Sequence, residues 1–206
     1  MAKNLGVMLV GRLEECKGCS MAKGIARPIK RNTHSRAVKM FGRVFVDICG
    51  KEKVSGKWGK KYMLLICDDY SRFTWVYFLR SKSEAVVYFK QFLSDVRATG
   101  PPSTVEIVWS DKGGKFSKGM FPKMCRDRNI RQEFTTADSP EFNGVAERRI
   151  AMVESAGLAA HVQAIAENPG APKGASMWPE RAFWACDALN RTATSANPEN
   201  KSPFEM

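Results

Sequence analysis

The chain has 206 residues, 44% of them hydrophobic, with 33 Lys and Arg against 21 Asp and Glu, for a net charge of +12 and a pI of 9.6. This fits one domain of ordinary size plus an extension; the hydrophobic content is enough for a core, and no run approaches the ~18 apolar residues of a membrane span. The positive charge points to a polyanionic partner, nucleic acid before any other.

The start, Met1 to Val10, is a poor signal peptide because its apolar stretch is short and broken by Gly6, so an intracellular location is expected. Of the six cysteines, only Cys16 and Cys19 lie close together. They form a C-x2-C pair, half of a Zn2+ site. Cys49, Cys67, Cys125 and Cys186 lie in apolar or helical contexts and read as small core residues. From Lys17 to Arg43 the chain holds eight basic residues, Lys30 and Arg31 among them, and no acid. That is a basic linker, suited to sequence-independent contact with phosphate. We therefore divide the chain into residues 1–40, the cysteine pair and linker, and 41–206, the core.

The first strand is Arg43 to Cys49, and it carries an acid, Asp47, inside an apolar run. Burying an unpaired carboxylate is expensive, so Asp47 needs a partner. A lysine-rich loop from Lys51 to Lys61, with glycines at 50, 56 and 59, suits a hairpin. Tyr62 to Cys67 is nearly continuous apolar and predicts a strand buried on both faces. It ends at Asp68-Asp69, whose Asp-Tyr-Ser-Arg continuation suits a tight turn better than catalysis. Phe73 to Leu79, β-branched and aromatic, is the third strand. Short links between these three predict an antiparallel meander.

Ser81 to Thr99 predicts a helix with Val86, Phe89, Leu93 and Val96 on its apolar stripe. The fourth strand, Val105 to Ser110, stops at Asp111 and two glycines. Lys112 follows at once, where its charge could pair with a phosphate or weaken metal binding by repulsion. Phe116 to Asn129 predicts one short helix, and Arg131 to Thr135 a fifth strand. A polar stretch from Thr136 to Phe142 leads to the turn dipeptide Asn143-Gly144, after which a helix runs to His161 or beyond. Glu147 sits in its first turn, with Ala151, Glu154 and Leu158 on the same face; Glu154 reads as an ordinary solvated acid. Arg148 and Arg149 are expected to turn outward towards DNA backbone. A surface loop, Asn168 to Gly174, precedes a packing helix from Trp178.

Asp47, Asp111 and Glu147 thus stand at two strand ends and a helix start, with 35 residues between the last two. Three converging carboxylates would bind Mg2+ or Mn2+, ions that take hard oxygen ligands, and paired ions serve phosphoryl displacement.

The words around these acids narrow the reading. Cys67-Asp68-Asp69-Tyr70-Ser71-Arg72-Phe73, Ser110-Asp111-Lys112-Gly113-Gly114, Asn143-Gly144-Val145-Ala146-Glu147-Arg148 and the closing Asn200-Lys201-Ser202-Pro203-Phe204-Glu205 resemble the catalytic core of copia-type retrotransposon integrases, over roughly residues 16 to 206. The resemblance implies an α/β, ribonuclease-H-like fold with a five-stranded mixed sheet flanked by helices. It implies Asp47, Asp111 and Glu147 as the catalytic, metal-binding triad, DNA ends and target DNA as substrates, a homo-oligomer, and action in the nucleus. It matches Asn143 to the loop before the triad helix, which adds Asn143 to Lys30, Arg31, Lys112, Arg148 and Arg149 as candidate DNA contacts. The family carries two histidines upstream of its cysteine pair. The histidines here are His34 and His161, so residues 1–40 read as a truncated zinc-module remnant. Lys112 and Lys115 replace the family's usual Asn and Glu, and Glu141 and Phe142 its usual glutamines. These departures keep an alternative open, a catalytically inactive DNA-binding remnant of a retrotransposon polyprotein.

Overall fold

The computed structural model describes residues 36–98, 104–112, 114–135 and 144–206. Cys16, Cys19, Lys30, Arg31 and Asn143 lie outside them, as does the expected helix end at Thr99.

Three strands come first: β1 (Val44–Cys49), β2 (Tyr62–Asp68) and β3 (Thr74–Leu79). They pair antiparallel as the short links predict, with Asp47 opposite Leu65 and Leu65 opposite Val76. α1 (Ala85–Ala98) then crosses to β4 (Ile107–Ser110), which pairs parallel with β1. α2 (Gly114–Ser117) and α3 (Met120–Asp127) lead to β5 (Arg131–Phe134), parallel to β4. The sheet order is β3-β2-β1-β4-β5. α4 (Gly144–Glu167) and α5 (Trp178–Arg191) complete the α-helices among the described residues. None is long and apolar enough to cross a membrane.

Strand alternation sends β1 and β2 side chains into two cores. On one face Val44, Val46, Leu64 and Ile66 pack with Phe89, Phe92 and Val96 of α1 and with Phe121 and Met124 of α3. On the other, Phe45, Met63, Leu65 and Cys67 pack with Ala146, Ile150 and Val153 of α4 and with Trp178, Ala182 and Ala185 of α5. β2 is buried from Met63 to Asp68, in keeping with its unbroken apolar run.

The stretch expected as one helix, Phe116 to Asn129, is two. Gly119 takes a left-handed φ of 77° and breaks the path between α2 and α3. α4 and α5 cross closely at Gly157, where a Cβ would fall 2.8 Å from the Arg181 carbonyl oxygen. A methyl there would push the two helices apart.

Candidate active site

The parallel pairing of β1 and β4 places the first two acids side by side. Val44 pairs with Val108 and Phe45 with Trp109. The same offset carries Asp47 to the level of Asp111, one residue beyond the end of β4. By strand alternation Asp47 shares a face with Phe45, and that face is covered by α4 and α5. Glu147 lies in the first turn of α4, where the helix's partial positive charge favours an acid. The core stripe of α4 runs through Ala146, Ile150, Val153 and Gly157, so Glu147, Ala151, Glu154 and Leu158 are left on its exposed side.

Asp47 is half-buried. Burial pushes its carboxyl above the usual aspartate range, and the charges of Asp111 and Glu147 push it the same way. Opposing them are the Ile48 amide, which donates to Asp47 Oδ1 at 2.7 Å, and the charge of Lys82. Asp111 is half-buried and Glu147 exposed. All three therefore share one electrostatic neighbourhood. Among the described residues, however, no group of three or more His, Cys, Asp or Glu side chains is drawn tightly enough together to hold an ion as it stands.

The rival acids, Asp68 and Asp69, are occupied elsewhere. Asp68 is fully buried, and its carboxylate accepts from Phe41 N at 2.8 Å, Ser71 N at 2.7 Å and Ser71 Oγ at 2.7 Å. Asp69 accepts from Ala37 N and from Arg72 Nη1, each at 2.7 Å, and pairs with Arg43 Nη1 at 3.4 Å. Arg36 donates to the backbone oxygens of Asp69, Tyr70 and Ala196 and to Asn197 Oδ1. Asn197 in turn donates to Ser71 O. The pair is a structural knot that ties residues 36–43 and the C-terminal turn to the end of β2.

Of the expected DNA contacts, Lys112 is exposed beside Asp111. Arg148 is half-buried and folds back towards Gly144 at the start of α4. Arg149 does not turn outward. It is 7% exposed, donating from Nε to Thr74 Oγ1 and from Nη2 to Arg72 O, each at 2.7 Å. Its position one residue before Ile150 on the core stripe sends it inward, where it meets the buried end of β3.

Two neighbours of Asp47 escaped the sequence reading. Lys82 reaches it only through the fold. Cys49 shares its strand face and donates from Sγ to Glu154 at 3.7 Å. Burial and that carboxylate push the Cys49 thiol up to about 12. Glu154, exposed on α4 as expected, also meets Cys49. With Cys49 it lines a cavity of about 340 Å³ between β1, α4 and α5, and burial raises its carboxyl.

Comparison with known proteins gives this arrangement a setting. The family described as "Integrase core domain" matches residues 37–140. The chain is 31% identical over 163 residues to the retrovirus-related Pol polyprotein from transposon TNT 1-94 of Nicotiana tabacum, an alignment covering 79% of this chain and 12% of that polyprotein. Among solved structures it is similar to a simian T-cell lymphotropic virus intasome in complex with PP2A regulatory subunit B56 gamma, with a TM-score of 0.63 and 14% identity over 88% of this chain and 59% of that one. It is also similar to the HTLV-2 integrase catalytic core domain in complex with magnesium, trimeric form, with a TM-score of 0.57 and 16% identity over 82% of this chain and 98% of that one. The five-stranded mixed sheet with flanking helices is the ribonuclease-H-like fold of such cores.

Proposed function

Because the chain belongs to the integrase core domain family, whose members are of the polynucleotidyl transferase kind, we propose that it is the core of a copia-type retrotransposon integrase that trims 3′ DNA ends and joins them to target DNA. What supports this reading is the register that brings Asp47 level with Asp111, with Glu147 in the first turn of α4, and Asp47 is raised by burial first and then by the charges of the other two. Asp111 and Glu147 act as like charges on Asp47, and the all-oxygen donor set of the three suits Mg2+ or Mn2+. Asp47, Asp111 and Glu147 would hold the metal. Bound there, it supplies charge neutralisation and Lewis-acid polarisation at a phosphoryl group.

The protein's own residues do the positioning. β1 and β4 fix two of the carboxylates on neighbouring strands, and the Ile48 amide orients one of them. Lys112, exposed beside Asp111, is placed to receive a phosphate of the DNA, and Arg148 stands next to Glu147 for the same purpose. Arg149 acts from behind, fixing α4 against β3 so that Glu147 is presented at a constant angle. We assign Lys30, Arg31 and Asn143 to DNA contact as well. Residues 1–40 we assign as a zinc-module segment and basic linker, with Cys16 and Cys19 as candidate Zn2+ ligands, and 41–206 as the core. The chain spans 12% of the length of its tobacco relative. A homo-oligomer working in the nucleus follows from the same reading.

The test is metal-dependent cutting and joining of an oligonucleotide ending in the element's terminal repeat, with Asp47→Asn and Glu147→Gln run beside the parent. Activity in the parent, lost in both variants, is the expected result. Salt-sensitive DNA binding with neither cutting nor joining would identify an inactive remnant instead.

A further inference from the structure

The β1–β2 hairpin, residues 50–61, hangs from the same end of the sheet as Asp47 and Asp111, and the chemistry proposed above does not use it. Its backbone is firmly tied. Glu52 N donates to Lys61 O at 2.9 Å and Gly56 N to Lys60 O at 2.8 Å. Trp178 Nε1 donates to Val54 O at 3.1 Å and Arg80 Nε to Trp58 O at 2.9 Å. Gly56 sits so close to α5 that a Cβ there would fall 2.3 Å from Pro179 Cγ.

On this pinned loop Trp58 adopts a left-handed φ of 58°, a costly conformation for a bulky residue. Its side chain is 69% exposed. Phe41 and Arg72 also have positive φ, but Phe41 is buried in the core and Arg72 pairs with Asp69 at 2.7 Å. Trp58 obtains no such packing. A large aromatic held into solvent on a strained, preorganised backbone marks a binding feature.

The surroundings define the ligand. Lys51, Lys53 and Lys57 are exposed, Lys60 and Lys61 half-buried, and Glu52 is the loop's one acid. Lys57 Nζ stands 4.6 Å from the centre of the indole. Lys82, 5.7 Å from the Tyr62 ring, also acts on Asp47, so positive charge continues from the hairpin to the acids. Lysines alone would serve any polyanion. An exposed aromatic among them selects unpaired bases, whose faces are free to stack, over a duplex, whose faces are covered.

We propose that the hairpin is a single-stranded DNA contact in which Trp58 stacks on an unpaired base while Lys51, Lys53 and Lys57 hold the adjoining phosphates. The choice of DNA as partner rests on the integrase reading; the stacking rests on the hairpin itself.

The test uses the full chain in EDTA, with a fluorescein-labelled oligothymidylate and a duplex of the same length. Trp58→Ala is expected to weaken oligothymidylate binding about ten-fold or more while leaving duplex binding within about two-fold. Trp58→Phe keeps most of the affinity. Lys51→Ala/Lys53→Ala weakens both ligands and lowers the salt slope by about one per lost phosphate contact. Thermal melts check that each variant folds, which the exposed positions favour. Parent-like oligothymidylate binding by Trp58→Ala would overturn the proposal. So would displacement by polyglutamate as effective as by unlabelled oligothymidylate, which would indicate an acidic protein partner. A parent that binds through Trp58 but never cuts leaves the hairpin standing and sinks the reading of the acids. One that cuts and joins while Trp58→Ala binds normally sinks the hairpin alone.

Discussion

Two groups of acids lie at opposite ends of the central strands, and they are built on opposite terms. Asp68 and Asp69 are surrounded by donors, with two amides and a hydroxyl on one, an amide and two arginines on the other. Asp47 has one amide and the charge of Lys82, set against two further carboxylates. Burial raises both Asp47 and Asp68, but the secondary causes differ. Three hydrogen bonds from Ser71 and Phe41 pull Asp68 back down against the one charge of Asp69, whereas Asp47 has one amide, Ile48, against the charges of both Asp111 and Glu147. An acid whose needs are met inside the protein is a structural part. An acid left among like charges at a strand end is an invitation to a cation.

The largest effect that would sharpen this contrast is on chemistry. Asp47→Asn, Asp111→Asn or Glu147→Gln should each lower metal-dependent cutting by at least about 10²- to 10³-fold, the scale of losing one electrostatic element of a site. Melting curves should show the variants as stable as the parent, because neutralising one acid relieves repulsion. Variants that fail to fold would break the contrast.

At the other end of the strands the expected outcome is reversed. Asp68→Ala strands three buried donors at about 1 kcal/mol or more each, a loss of about 3 kcal/mol, or a drop of roughly 6–12 °C in Tm for a domain of this size. Cutting measured well below the new Tm should persist. Arg149→Ala should cost about 2 kcal/mol, the scale of its charged hydrogen bonds, with the salt slope of DNA binding unchanged. Arg148→Ala should lower that slope and leave Tm alone. If Arg149→Ala weakens DNA binding without loss of stability, the inward assignment fails.

The smallest effect is in the acid limb. Asp47 holds its proton more tightly in the folded protein than in the unfolded chain. It therefore stabilises the metal-free fold below the ordinary aspartate pKa, and that contribution is lost as pH rises through the raised folded value. Asp47→Asn removes this slope. Chemical denaturation of parent and variant across that window, in EDTA, should show the parent losing stability relative to the variant as pH rises.

Much of this was legible in the sequence because the signals are local. Four apolar runs ended by turn residues gave β1 to β4, and acids interrupting or ending two of them gave Asp47 and Asp111. What was hidden depends on neighbours distant in the chain. The offset that sets Asp47 level with Asp111 belongs to a parallel pairing across α1, and no stretch of sequence records it. Lys82 reaches Asp47, and Cys49 reaches Glu154, through the same tertiary geometry. Gly119 divided a helix that composition alone favoured. Arg149 was misplaced although its signal was present: the stripe of Ala146, Ile150 and Val153 already encloses it. Charge was allowed to outweigh periodicity there, and the buried oxygens of Arg72 and Thr74 show why a buried arginine is tolerated.

The most direct test of the three-acid site is a thermal melt of the full chain against Mn2+, with the parent, Asp47→Asn, Asp111→Asn and Glu147→Gln measured in parallel. A metal bound only by the folded state stabilises it by about 2.7 kcal/mol at a hundred times its Kd. The account predicts a saturable rise in Tm for the parent that each substitution removes or sharply reduces. Equal shifts in all four proteins, or no shift in the parent, would contradict it.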